Sequence, residues 1–295
     1  LNDKGKARLA TALVVATGTL WGLYWLPVRR LGDLGLGGAW GTLAIVAVAA
    51  LLLAPFAWTA RHRLARADRL GLASVALGGL AFVLYSVGFL YGRVAIIAIL
   101  FFLTPVWSTL IGRLVMGWPV GRMRLAALAT GMTGLVLVLG AGGEWPLPQG
   151  FGDWLGLASG LLWAVATTGI RTRSDTGPGE TAFVFAAGAC AGALVLAPLL
   201  EPVPVQLAAP RAALGWALAA GALWWGLSIA ALMWASARLD PARVGILLMA
   251  EVLVGGLTAA TLSGETLTAT EWTGGALVVL AGVLEVWPRK SAPHR

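Results

Sequence analysis

RHRLARADRLGLASVALGGLAFVLYSVGFLYGRVAIIAILFFLTPVWSTLIGR, residues 61–113, sets Arg61, Arg63, Arg66 and Arg69 before an apolar run, Arg93 between that run and a second, and Arg113 at the far end. Each run is about 20 residues, the length a helix needs to cross a ~30 Å hydrocarbon core. Two crossings joined by a sparsely charged turn return the chain to the face it left. Short loops rich in Lys and Arg stay on the inside, so the arginine-rich ends of this stretch are cytoplasmic.

The same alternation extends in both directions. Apolar stretches begin near Leu9, Gly37, Leu70, Val94, Leu125, Gly152, Thr181, Ala212, Ala242 and Trp272. Ten crossings place both termini in the cytoplasm. Of 21 Lys and Arg residues, only Arg29, Arg30, Arg93 and Arg211 then fall on the extracytoplasmic face. Nine or eleven crossings would scatter the basic residues over both faces. The first stretch, Leu9 to Leu26, follows a basic leader but meets Arg29 and Arg30 with no small-residue cleavage site, and reads as a retained helix.

Composition agrees with a polytopic membrane protein: 59% hydrophobic, 12% charged, mean hydropathy +0.84. The net charge of +8 sits in short cytoplasmic loops, where anionic lipid accounts for it; the expected partners are the lipid bilayer and a small solute, with no nucleic acid. Cys190 stands alone in an apolar stretch, so no internal disulfide exists.

The chain matches itself weakly at offsets in the 140s, the sign of a duplicated unit. Gly18–Gly22 (GTLWG) falls on Gly160–Ala164 (GLLWA), Thr104–Val106 (TPV) on Ala250–Val252 (AEV), and Thr130–Gly131 on Thr273–Gly274. Five helices per half is an odd number, so the second half enters the membrane inverted, an arrangement found in transporters. The expected organisation is a first repeat over residues 1–140, an extracytoplasmic linker over 141–151 with Glu144 and Trp145, a second repeat over 152–288, and a cytoplasmic tail over 289–295.

Ten helices as an inverted five-plus-five repeat, GTLWG in the first helix, LTPVWSTLIGRLVMGW in the fourth and LSGETLTATEWTGGALVVLAG near the end together resemble the drug/metabolite transporter superfamily in its ten-helix EamA-type branch. Within that branch the density of interior aromatics resembles the YddG-type exporters of aromatic amino acids. The resemblance implies alternating access around a central site, lined by the first, third, fourth, sixth, eighth and ninth helices, with the fifth and tenth peripheral. Two departures stand out. The branch's acidic residue after the fourth helix is replaced by Trp118-Pro119 while Glu265 keeps it in the second half, and Glu251 stands where the fourth helix has Pro105.

Glu251 is the most conspicuous single residue, because it lies near the bilayer midplane in the ninth helix. A carboxylate there costs roughly 2.5–3.5 kcal/mol on insertion scales and faces a cavity or a partner. Either it is hydrogen-bonded to Ser or Thr as a structural group, or it binds a substrate ammonium or a coupling proton. Glu285, near the cytoplasmic end of the tenth helix, can reach water.

Trp40, Trp58, Trp118, Trp145, Trp154, Trp216, Trp272 and Trp287 fall at helix ends, where aromatic belts form. Trp21, Trp25, Trp107, Trp163, Trp224, Trp225 and Trp234 lie deeper, where an indole N–H needs a partner that hydrocarbon cannot supply. Trp21, Tyr24 and Trp25 share one helix face by their spacing, and Trp163 holds the matching place in the second half. Tyr85, Phe89, Phe102, Trp224 and Ser228 are expected to complete an aromatic wall, for which core packing is the competing account. Pro105 interrupts its helix and serves either as a gate hinge or as a fixed bend. Gly152, Gly156 and Gly160, and Gly188 with Gly192, form close-packing stripes that also permit a homo-oligomer.

GxSxG, HExxH, paired cysteines and a P-loop are all missing, and His62 and His294 lie outside the spans. No enzyme, metal or cofactor is expected. The sequence points to a bacterial inner-membrane exporter of amino acids, aromatic or hydrophobic ones and flat cations foremost. A same-fold carrier of a nucleotide precursor or sugar phosphate would need cavity Lys or Arg, and a scaffold would have a filled bundle.

Overall fold

The computed structural model describes residues 3–117, 121–141, 147–173, 176–204, 206–236, 238–239, 244 and 247–286. Among these the regular elements are helices, and they trace the ten crossings. The first comprises Asp3–Gly22 and Trp25–Asp33, the second Trp40–Thr59, the third Arg69–Tyr91, and the fourth Val94–Phe101 with Thr104–Leu114. Arg122–Leu139 is the fifth, Phe151–Arg173 the sixth and Pro178–Leu200 the seventh. The eighth joins Pro210–Ala220, a π-helical Gly221–Leu227 and Ser228–Ser236; Ala250–Leu262 ends the ninth, and Ala269–Val286 is the tenth. The expected start of the ninth at Ala242, Trp118-Pro119, Glu144, Trp145, Trp287, His294 and the Glu285 side chain lie outside the described residues.

Local chemistry sets the helix starts. Asp68 accepts a hydrogen bond from Leu70 N at 3.2 Å at the head of the third helix. Pro178 and Pro210 open the seventh and eighth, where a missing N–H is harmless. Thr268 and Glu271 form a reciprocal capping box on the tenth, with Thr268 N to Glu271 Oε2 at 2.7 Å and Glu271 N to Thr268 Oγ1 at 3.2 Å. Among the described residues, five helices are long and apolar enough to cross a membrane, and shorter apolar helices cover Leu125–Leu139, Ala250–Leu262 and Ala269–Leu284. Leu51, Leu114, Leu199 and Trp58 are each more than 70% exposed. Hydrocarbon rather than water is the solvent such a surface fits.

The packing repeats itself when the halves are exchanged. The first helix packs on the eighth and ninth, and the sixth on the third and fourth; the fifth packs on the tenth, and the second on the seventh. A Cβ on Gly134 would lie 2.7 Å from Gly274 O, and one on Gly274 would lie 2.7 Å from Gly134 O. Such reciprocity marks the pseudo-twofold axis. It also corrects the register of the fifth and tenth helices: Gly134 pairs with Gly274 and Val138 with Val278, an offset of 140, rather than Gly131 with Gly274. In the fourth and ninth helices the offset of 146 coincides with structure, because both restart after an interruption, at Thr104 and at Ala250.

The interruption in the fourth helix has a clear cause. Pro105 cannot donate to Phe101 O, and Thr104 Oγ1 takes that carbonyl at 2.7 Å while also reaching Gly160 O on the sixth helix at 3.3 Å. Pro105 thus opens the second half of a broken helix rather than kinking a continuous one. The first helix breaks at Leu23 and Tyr24, whose amides bond three residues back to Leu20 O and Trp21 O at 3.0 Å each. The Gly stripes behave as expected: Gly152, Gly156 and Gly160 press on the start of the third-to-fourth connection and the fourth helix, and Gly188 and Gly192 on the third.

Candidate functional site

A cavity of about 450 Å³ lies among seven of the helices. Trp21, Phe82, Phe101, Phe102, Trp163 and Phe185 form its aromatic wall, and Glu251 is the one ionisable group lining it among the described residues. Phe82 is the hub, meeting Trp21 and Trp163 at 5.2 Å and Phe101 and Phe185 at 5.4 Å between centroids, all near edge-on. Edge-to-face contact sets the positive rim of one ring on the negative face of the next. Gly78 makes room for this cluster on the third helix, since a Cβ there would lie 2.9 Å from the Trp163 ring and 3.1 Å from Phe185.

The seventh helix joins the expected lining helices, through Thr181, Ala182 and Phe185. From the aromatic wall the lining continues past Thr167 to Ile170, beside Arg171, and past Val75 and Thr181, near the cytoplasmic starts of their helices. The cavity therefore runs from Glu251 toward the cytoplasmic end.

Glu251 is buried in the first turn of Ala250–Leu262, just after the interruption at Met249. The half-helix N-terminus directs its partial positive charge at the carboxylate. Tyr85 Oη donates to Glu251 Oε1 at 3.2 Å; the partner is a phenol, not the Ser or Thr expected. Among the described residues, no Lys, Arg or His lines the cavity.

Trp21, Phe102, Trp163 and Glu251 thus line the cavity together. Tyr24 and Tyr85 are wholly buried behind the wall. Tyr24 sits at the helix break, so Trp21, Tyr24 and Trp25 do not form one continuous face. Trp21 Nε1 donates to Ser228 Oγ at 3.0 Å, and Ser228 Oγ donates to Trp224 O, so Ser228 and Trp224 brace the wall from outside the lining. Trp25 and Phe89 line a different recess, at the extracytoplasmic end.

The deep indoles mostly find partners in the protein itself. Trp25 Nε1 donates to Thr258 Oγ1 at 3.1 Å, Trp224 Nε1 to Leu20 O at 2.6 Å and Trp225 Nε1 to Tyr24 Oη at 3.3 Å. Trp107 Nε1 is the buried side-chain polar atom without a partner among the described residues. Phe82, Phe101 and Phe185 escaped the sequence reading because a phenylalanine in an apolar helix carries no polar atom to signal its place; Phe82 precedes Tyr85 by three residues and shares its helix face, the one available clue.

The extracytoplasmic end is held by charge. Arg29 donates to Glu265 at 3.0 Å and to Phe89 O and Gly92 O at 2.9 Å. Glu265 also accepts from Val94 N at 2.8 Å and Ala95 N at 3.2 Å, capping the fourth helix. Arg93 pairs with Glu271. Both Arg–Glu pairs join the first half to the second. At the cytoplasmic end Arg63 pairs with Glu180 at 2.6 Å.

Comparison with known proteins places this architecture. A solved crystal structure of a protein 17% identical in sequence superposes with a TM-score of 0.58, over 93% of this chain and 95% of that one; at this identity the likeness concerns the fold. No curated protein matches the chain in sequence. The model of the EamA-like transporter family matches residues 8–140 and again 150–286, once per repeat. With both repeats matched and the inverted packing in place, the chain belongs to the EamA-like transporter family, multi-pass membrane transporters of the drug/metabolite transporter superfamily.

Proposed function

We propose that this protein exports small organic solutes bearing an ammonium group on an apolar body, aromatic and hydrophobic amino acids and flat cations foremost, across the bacterial inner membrane by alternating access. One observation carries the reading: a buried carboxylate without a basic partner faces an aromatic cavity of about 450 Å³. Trp21, Phe102 and Trp163 supply ring faces for stacking and cation–π contact, and Glu251 supplies the single charge. A phosphorylated solute finds no cation in the lining, which disfavours a sugar phosphate or nucleotide precursor. Tyr24, Tyr85, Trp224 and Ser228 act as supports that fix the wall, and Pro105 acts as the hinge on which the half-helix Thr104–Leu114 tilts.

Uptake of labelled phenylalanine, tryptophan and alanine into proteoliposomes tests this, with and without a pH gradient, in wild type and Glu251→Gln. Saturable aromatic uptake, stronger than alanine uptake and at least about tenfold lower in Glu251→Gln, is expected; one charge-assisted hydrogen bond to an ammonium is worth roughly 1.5–3 kcal/mol. If the gradient drives accumulation in wild type and not in the variant, Glu251 carries the coupling proton as well. No flux of any of the three solutes would sink the amino-acid reading.

A further inference from the structure

We infer that the recess at the extracytoplasmic end is a second solute site, in which Arg29 receives the carboxylate of an amino acid on its way out. This rests on the export reading above and adds the residue that handles the negative end of the solute. Among the described residues the central cavity offers an anion for the ammonium but no cation for the carboxylate. The recess supplies that cation. It is an open groove of about 540 Å³ in which Arg29 and Arg30 stand with Asp33 among Trp25, Phe89 and Trp216.

Arg29 is built to take a further carboxylate. Its guanidinium lies over the Trp25 ring, 5.4 Å from the centroid, and Trp25 is itself fixed by Thr258. Its Nε donates to Phe89 O, and its Nη2 donates to Gly92 O and Glu265 Oε1. A guanidinium carries five N–H donors in a rigid fork. The two on Nη1 therefore have no partner among the described residues. The Arg29 side chain is 29% exposed whereas that of Glu265 is 9% exposed, so the recess reaches the arginine and not the glutamate behind it. The backbone carbonyls and the stacked indole hold the fork in place, which lowers the ordering cost of binding.

The two sites lie in sequence along the first helix. Trp21 lines the cavity, and Trp25 and Arg29 line the recess, at successive four-residue steps. The break at Leu23 and Tyr24 lies between Trp21 and Trp25, and no residue lines both the cavity and the recess. A solute leaving the cavity therefore passes from an ammonium-binding site to a carboxylate-binding one, with aromatic rings beside it at both.

Binding of two half-solutes to the purified full-length protein in detergent separates the sites. Phenylacetate carries the carboxylate alone and phenethylamine the ammonium alone. Calorimetric titration is expected to show phenylacetate bound by wild type, weakened at least about tenfold by Arg29→Met and severalfold by Arg29→Lys, which keeps the charge but loses the fork. Trp216→Ala, which leaves every Arg29 hydrogen bond intact, is expected to weaken phenylacetate too, so a loss does not depend on a variant that disturbs the Phe89 and Gly92 carbonyls. Phenethylamine is expected to weaken in Glu251→Gln only. No phenylacetate binding to wild type, or binding unchanged in monodisperse Arg29→Met and Trp216→Ala, overturns the second site. Absence of phenethylamine binding overturns the role of Glu251 instead, and the phenylacetate result still decides the recess.

Discussion

The two ends of the bundle differ: one is closed by ion pairs and the other is not. At the extracytoplasmic end, Arg29–Glu265 and Arg93–Glu271 bridge the repeats, and Glu265 satisfies two amides at the head of the fourth helix as well. Toward the cytoplasmic end the central cavity continues between the helices as far as Ile170 and Thr181. The inverted repeat explains the asymmetry. At the offset of 146 that aligns the fourth and ninth helices, Glu265 corresponds to Pro119, a residue with no side-chain acceptor. A pseudo-symmetric carrier whose halves were equal would close both ends equally well. Here one half carries the carboxylate and the other does not, and the structure stands closed on the side that carries it.

If those ion pairs set the direction the bundle faces, removing them will turn it. A single cysteine on the cavity wall, Thr17→Cys in a Cys190→Ala background, reports the facing through reaction with a membrane-impermeant maleimide added to one face or the other. Wild type is expected to react from the cytoplasmic face. Glu265→Ala should give the largest change, since it leaves the Arg29 charge unpaired and two helix-end amides bare. At about 3 kcal/mol, the cost of breaking a largely buried pair, the balance shifts roughly 100-fold, and extracytoplasmic labelling appears. Labelling that stays cytoplasmic in folded Glu265→Ala would show that the ion pair is not what closes that end. Arg93→Gln is a smaller lesion, because the Arg93 side chain is 40% exposed and water replaces much of what it loses; about 1 kcal/mol, or roughly a fivefold change in the labelling ratio, is expected.

The difference between the two ends also marks what the sequence could reveal. Charge bias and run length located the helices, and most observed starts fall within a few residues of those expected, because a bilayer demands apolar runs of set length and cytoplasmic loops collect Arg. Glu265 was visible as a retained family residue, but its partners were not: Arg29, Val94 and Ala95 lie far from it in the chain and meet it only once ten helices have packed. Glu251, Trp21 and Trp163 were legible because a charge or an indole in hydrocarbon demands an account. The breaks at Tyr24 and Met249 and the π-helical stretch under Trp224 and Trp225 carry no proline, and apolar periodicity runs through them unchanged. Those breaks turn Trp25 into the recess and set Glu251 at a half-helix N-terminus, so the site's geometry was hidden where its residue types were not.

Restoring the missing carboxylate would test the comparison from the other side. Pro119→Glu places an acceptor at the position that repeat alignment matches to Glu265. At the sequence offset of 146 the residues whose amides Glu265 caps, Val94 and Ala95, align with Asp240 and Pro241. Pro241 has no N–H, so the new carboxylate gains at most one of the two amide bonds. The symmetry mate of Arg29, eleven residues beyond Gly18 just as Arg171 is eleven beyond Gly160, is Arg171; a cation therefore stands at the matching place. A solvent-exposed pair at a cytoplasmic loop contributes about 0.5 kcal/mol, enough to shift the ratio of extracytoplasmic to cytoplasmic labelling of Thr17→Cys by roughly twofold. High salt should erase that effect, because exposed pairs are screened, while leaving the Glu265 latch largely intact. An effect in wild-type background that disappears when Arg171→Gln is added would identify the arginine as the partner, and would show that a single carboxylate is enough to bias which end of this carrier closes.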